Sequence, residues 1–217
     1  KIPLGTSLKL LVHHKDVNRV HDDILKQGSL AKDAHLGNTL VSFYTKCRSL
    51  GMAKDVFDEL FVRDVITWNA LITGYANNNN NERKKAFACF QRMLCEGLLP
   101  NAITSCCLLK ACGKLQDLHK GKLIHAEIIR EEIMENDPFV GAALVDMYVK
   151  CGDIVEAQNA SDHLRVHTVV SWTALITGYA QRGHGKEALE CYEEMQRNGL
   201  KANAVTYVSI LKACSGL

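Results

Sequence analysis

Residues 67–76 read TWNALITGYA, and residues 171–180 read SWTALITGYA. Eight of the ten letters agree across a separation of 104 positions. One difference, Thr67 against Ser171, exchanges one small hydroxyl for another. The other, Asn69 against Thr173, alters the polar residue just after the tryptophan. Self-similarity of this kind is the signature of a repeat array, in which each unit buries its apolar face only by stacking on its neighbours.

The likeness extends well beyond the ten residues. LVSFYTKC (40–47) matches LVDMYVKC (144–151), Val20-His21 matches Ile124-His125, and Gly37 matches Gly141. KKAFACFQRM (84–93) matches KEALECYEEM (186–195), now at an offset of 102. The offset changes at NNNNNERKK, two residues longer than QRGHGKE. An asparagine run at an insertion is expected to be a solvated turn between helices.

Within the long period lie helical hairpins. SWTALITGYAQRG reads as a short apolar helix with a glycine turn. HGKEALECYEEMQRNG follows as a second helix, with Ala188, Leu189, Tyr192 and Met195 on one face and Gly199 closing it. Pro100 and Pro138 fall between units, where a helix must end. No convincing alternating strand appears, so the chain is expected to be all-α. The expected units are 34–64, 65–101 (with the two-residue insertion), 102–137, 138–168 and 169–203, with 204–217 opening another and 1–33 a degenerate one.

Composition limits the function. The 217 residues are 47 % hydrophobic and 6 % aromatic, enough for a packed array. A net charge of +2 is small for a partner held by phosphate attraction alone. No run of about 18 apolar residues is present, so no membrane span or membrane partner is expected. The first residue is Lys and no targeting pattern follows it, so a processed chain or fragment is expected. Among the nine cysteines, Cys47/Cys151, Cys89/Cys191 and Cys112/Cys214 fill matching slots. Matching slots lie far apart along an array, so these are expected to be small buried apolar residues in a reducing compartment, not disulfide partners.

NTLVSFYTKCRSLGMAKDVFDELFVRDVITW (38–68) and NALITGYA with KKAFACFQRMLCEGLLPN (69–76 and 84–101) closely resemble pentatricopeptide repeats. CCLLKACGKLQDLHKGKLIHAEIIREEIMENDPFVG (106–141) resembles the family's long variant. The short–standard–long alternation is similar to the plant PLS class, and one departure is Ala160-Ser161 where the other short unit has Val56-Phe57. The resemblance implies an all-α, right-handed superhelical solenoid of helix–turn–helix repeats. It implies sequence-selective binding of single-stranded organelle RNA, in a mitochondrion or chloroplast, as the recognition part of RNA editing or processing. A deaminase or other processing factor, in trans or in a further domain, would then do the chemistry.

In repeats that read one base per unit, two side chains contact each unstacked base. The resemblance assigns these roles to Asn38 with Asp64, Asn69 with Asn101, and Thr173 with Asn203. The family's code gives these pairs U, C and A, so that Asn69 against Thr173 is a change of letter. Cys106 with Asp137 and Ala142 with Thr168 are weaker slots outside the code, and the implied target is 5′-U-C-x-x-A-3′. Ile66, Ile103, Val170 and Val205, second in their units, would sandwich base faces.

Each assignment has a structural alternative. Asn69 and Thr173 are also residue types that cap helix starts, and Asp64, Asn101 and Asn203 are common in turns. Trp68 and Trp172, in matched slots, read as packing residues rather than base stackers. His125-Ala126-Glu127 spells a deaminase-like fragment, but no P-C-x-x-C accompanies it, and Cys106-Cys107 with Cys112 has the wrong spacing for zinc. Lys110, Lys114, His119, Lys120 and Lys122 form a basic cluster that suits either phosphate contact or a solvated face. No catalytic constellation, metal or cofactor is expected. The alternative function is a protein-interaction scaffold like the tetratricopeptide arrays, whose units keep a uniform length of about 34 residues.

Overall fold

The computed structural model describes residues 34–131 and 137–215. The degenerate unit expected at 1–33, with Val20 and His21, lies outside the described residues. The chain is all-α, with eleven helices and no strand among the described residues. It divides into two compact units at Pro100 and Asn101. The first holds α1 (Ala34–Lys46), α2 (Leu50–Glu59), α3 (Val65–Ala76) and α4 (Asn80–Cys95). The second holds α5 (Ala102–Leu115), α6 (Leu118–Arg130), α7 (Pro138–Cys151), α8 (Ile154–Asp162), α9 (Val169–Gln181), α10 (Gly185–Arg197) and α11 (Ala204–Ser215).

In the first unit α1 packs on α2 and α3, and α3 on α4. In the second, α5, α7, α9 and α11 pack each on the next, while α6, α8 and α10 each pack on the helix before them. The odd-numbered helices therefore form one layer in each unit and the even-numbered ones another. None of the described helices is long and apolar enough to cross a membrane.

The repeated motif explains the layer. Trp68, Leu71 and Ile72 of α3 are fully or almost fully buried, as are Leu175 and Ile176 of α9. Each such side chain contributes about 1.5–3 kcal/mol of burial. The motif's glycine marks a close approach between odd-numbered helices: a Cβ on Gly74 would lie 2.6 Å from the Thr45 methyl group, and one on Gly178 3.0 Å from Val149.

Three local expectations are refined. In the asparagine run only Asn77–Asn79 lies outside a helix; Asn80 and Asn81 open α4, because Asn79 caps it by accepting from the Glu82 amide at 3.0 Å. Pro138 does not sit between helices but is the first residue of α7, where its missing N–H costs nothing. None of the nine cysteines is in a disulfide. Cys112 is buried, which pushes its thiol up to about 12, whereas Cys214 in the matching slot is exposed on the last described helix. The expectation of burial holds for Cys89 and Cys112; Cys47, Cys106, Cys107, Cys151 and Cys191 are half-buried, and Cys95, like Cys214, is exposed.

The Ala160-Ser161 departure leaves a mark. Val56 and Phe57 are fully buried in the first unit, whereas Ala160 borders an open cavity of about 500 Å3 lined also by His125 and Glu156. His125 itself is held by packing: its Nδ1 lies 2.8 Å from the Tyr148 hydroxyl, and the two rings meet edge to face.

Candidate nucleic-acid interface

The last residue of each expected unit caps the helix that follows. Asp64 accepts from the Thr67 amide at 2.8 Å, Asn101 from Ile103 and Thr104, Asp137 from Phe139 at 2.8 Å, Thr168 from Ser171 at 3.1 Å, and Asn203 from Thr206 at 3.0 Å. Capping belongs to these residues and not to Asn69 or Thr173, which are each the fifth residue of their helix and are 7 % and 8 % exposed. The alternative reading of Asn69 and Thr173 as caps is thereby removed.

A third residue, missed in the sequence, joins the first pair. Asn38 Nδ2 donates to Asp64 Oδ2 at 3.1 Å, and the Thr67 hydroxyl sits within reach of both Asn38 Oδ1 and Asp64 Oδ1. In the second unit the Thr206 hydroxyl donates to Asn203 Oδ1 at 3.1 Å and lies 2.7 Å from the Thr173 hydroxyl. A hydroxyl third in the helix thus bridges the two candidate base readers. Its signal was visible: Thr67 against Ser171 preserves it in the repeated motif. Ser171 and Thr104 perform the same capping-box role at Thr168 and Asn101.

The weaker slots lack this bridge. Val140, without a hydroxyl, is third in α7, where Cys106 and Asp137 would need it. Ala142 is buried and offers no polar atom beside Thr168. Asn69 lies in the first unit and Asn101 in the second.

Thr173 and Asn203 line a groove of about 280 Å3 together with Val170 and Val205. The groove therefore brings these two polar side chains together with two exposed apolar ones. Ile66, Ile103, Val170 and Val205 are all exposed apolar residues, each second in its helix. Phe139, second in α7 and 68 % exposed, belongs with them and was missed in the sequence, although counting from residue 138 identifies it.

Basic groups gather at the other end of the same helices. Lys114, Lys150 and Arg182 border a shallow cleft of about 730 Å3 at the C-terminal ends of α5, α7 and α9. The basic cluster noted in the sequence divides. Lys120 pairs with Asp117 at 2.7 Å and Lys122 with Asp153 at 3.5 Å, on and beside α6, while Lys110 and Lys114 lie on α5.

Burial alone would raise the Asp64 carboxyl, but hydrogen bonds from Thr67 and Asn38 outweigh it and hold it below its ordinary value of 3.8. A carboxylate with a depressed folded value adds stability that is present above 3.8 and lost as the pH falls through the folded value. Asp64→Ala should therefore cost about 1–2 kcal/mol near pH 7. In thermal melts the gap from the parent chain should close in acid below 3.8. A gap independent of pH would show that the ionised cap contributes nothing.

The comparisons with known proteins agree with this architecture. The family described as "PPR repeat family" matches residues 63–114 and 167–216, and that described as "PPR repeat" matches 38–65, together more than half of the chain. A pentatricopeptide repeat-containing protein of Arabidopsis thaliana is 37 % identical over 215 residues, which is 98 % of this chain and 30 % of the relative. Another from Arabidopsis thaliana, named as chloroplastic, is 36 % identical over 199 residues, 92 % of this chain and 31 % of its own length. The chain thus spans less than a third of these relatives. Among solved structures, maize pentatricopeptide repeat protein PPR10 in complex with an 18-nt psaJ RNA element shares the fold at a TM-score of 0.67 and 23 % identity. That match covers 98 % of this chain and 32 % of the maize chain.

Proposed function

Because this chain belongs to the pentatricopeptide repeat family, we propose that it binds single-stranded RNA with sequence selectivity. The observation that carries this reading is the groove that Thr173 and Asn203, linked through Thr206, line together with Val170 and Val205. The helix pairs α1–α2 to α9–α10 act as five repeats over 34–64, 65–101, 102–137, 138–168 and 169–203, with α11 opening the next, in the alternation of the PLS class.

The chemistry of each pair follows from its hydrogen bonds. Asp64, ionised at neutral pH, only accepts, and so favours a base whose ring nitrogen carries a proton, as in uracil. Asn203 uses its carbonyl oxygen on the cap, leaving the amide N–H groups to donate to an unprotonated ring nitrogen, as in adenine or cytosine. Thr173, shorter than Asn, leaves room for the purine. The basic cleft of Lys114, Lys150 and Arg182 meets backbone phosphates.

The complete protein acts in a mitochondrion or chloroplast as the recognition part of RNA editing or processing, with a deaminase or other processing factor in trans. The relative named as chloroplastic supports an organellar setting. The test is a fluorescence-anisotropy titration with labelled RNAs that contain 5′-U-C-x-x-A-3′ or a permutation of it. Tighter binding to the first is expected; equal affinity for all, or none, would end the proposal.

A further inference from the structure

The two copies of the repeated motif differ most behind the tryptophan. In the first unit, three cations cover three rings. The Arg92 guanidinium lies 5.4 Å from the Trp68 ring centre, Arg63 lies 4.9 Å from Phe57, and Lys85 lies 5.9 Å from Tyr75. Arg92 also pairs with Asp58 at 3.7 Å, and the Trp68 indole N–H donates to Glu96 at 3.1 Å. At the offsets of the repeat, these three cations become His167, Glu187 and Glu194, Phe57 becomes Ser161, and Glu96 becomes Asn198.

Two of the three rings survive, as Trp172 and Tyr179, and the acid that paired with Arg92 survives as Asp162, while the cations do not. Trp172 and Tyr179 line an open pocket of about 560 Å3 on the side of α8 and α10. Asp162, Glu187, Glu190 and Glu194 also line it, with no Lys or Arg. Two of these carboxylates have basic neighbours: His184 lies 3.2 Å from Glu187, and Arg197 lies 3.6 Å from Glu194. Trp172 is only 6 % exposed, yet its indole N–H has no partner, and neither has Nδ1 of His167, which stacks on it with ring centres 4.7 Å apart. A buried indole N–H without an acceptor is costly and asks for one from outside.

We infer that this pocket receives an arginine side chain from a partner polypeptide. The guanidinium takes the place that Arg92 holds in the first unit, flat against the Trp172 ring and between the Glu190 and Glu194 carboxylates. The partner's main-chain carbonyl accepts from the Trp172 indole. Arginine suits this better than lysine because its planar, weakly hydrated head both stacks and forks. RNA is disfavoured here by four carboxylates, and the pocket shares no residue with the Thr173–Asn203 groove. RNA and a basic partner can therefore bind at once.

The test follows the two indole N–H signals of the 15N-labelled 217-residue chain, assigned with Trp172→Phe, during titration with the peptide acetyl-Ala-Arg-Ala-Arg-Ala-amide. The Trp172 signal should shift saturably and the Trp68 signal should stay. A peptide with citrulline for arginine should bind about tenfold more weakly. Glu194→Arg, which restores the first unit's residue, should fill the pocket from within and abolish the shift. Glu190→Gln, an isosteric change on an exposed side chain, should weaken binding several-fold while leaving the melting temperature unchanged. The inference is overturned by no shift at millimolar peptide, by equal binding of the citrulline peptide, by indifference to both substitutions, or by an RNA that shifts Trp172 instead.

Discussion

Trp68→Ala is expected to cost about 3–5 kcal/mol of stability, the range for losing a buried tryptophan. Trp68 is fully buried and meets Phe57 edge to face with ring centres 4.5 Å apart. Its indole N–H bonds to Glu96, and Arg92 lies over its face. Truncation therefore opens a cavity and removes the indole's bond to Glu96 and its contact with Arg92. Trp172→Ala should cost clearly less, because Trp172 borders an open pocket and its N–H makes no bond to lose. Differential scanning calorimetry of the two variants checks the order. Equal losses would mean that the pocket behind Trp172 is closed in solution, and a loss under about 1 kcal/mol for Trp68→Ala would deny it a core role.

Thr173→Asn should turn preference at a single base from A toward C, by about tenfold in relative affinity, or about 1.4 kcal/mol. The exchange fits the fold, since Asn69 occupies the same helix position in α3 and is equally buried. The Asn203 cap and its Thr206 bond do not depend on Thr173, so α11 should start where it does in the parent. The measurement is an anisotropy titration against two RNAs that differ only by A or C at that base. An unchanged ratio, with the melting temperature preserved, would remove Thr173 from recognition while leaving RNA binding itself standing.

Much of the fold is legible in the chain because its physics is local and doubled. The apolar spacing of TWNALITGYA and SWTALITGYA, a terminal glycine such as Gly199 at φ +72°, and the matched cysteine slots all mark hairpins without reference to tertiary structure. The sites were harder. Asn, Asp and Thr suit both capping and base contact, and composition cannot separate the two; only helix position does, placing Asp64 at a cap and Asn69 inside a helix. The Thr67 bridge left a signal in the hydroxyl kept at Ser171, but a hydroxyl third in a helix reads first as an ordinary helix-start residue, and its link to Asn38 shows only in the fold. The pocket at Trp172 arises from residues missing in the second copy, and such a loss is visible only when both copies are folded side by side.

Asp64, Asn101 and Asn203 each cap a helix, and in the function proposed above each also reads a base. Such a position accepts only the few residues able to hold a backbone amide, chiefly Asp, Asn, Ser and Thr. Its vocabulary is therefore narrow for reasons of folding, whatever the transcript demands. New specificities must evolve within that short alphabet, or through the less constrained partner one turn into the helix, where Asn38, Asn69 and Thr173 stand.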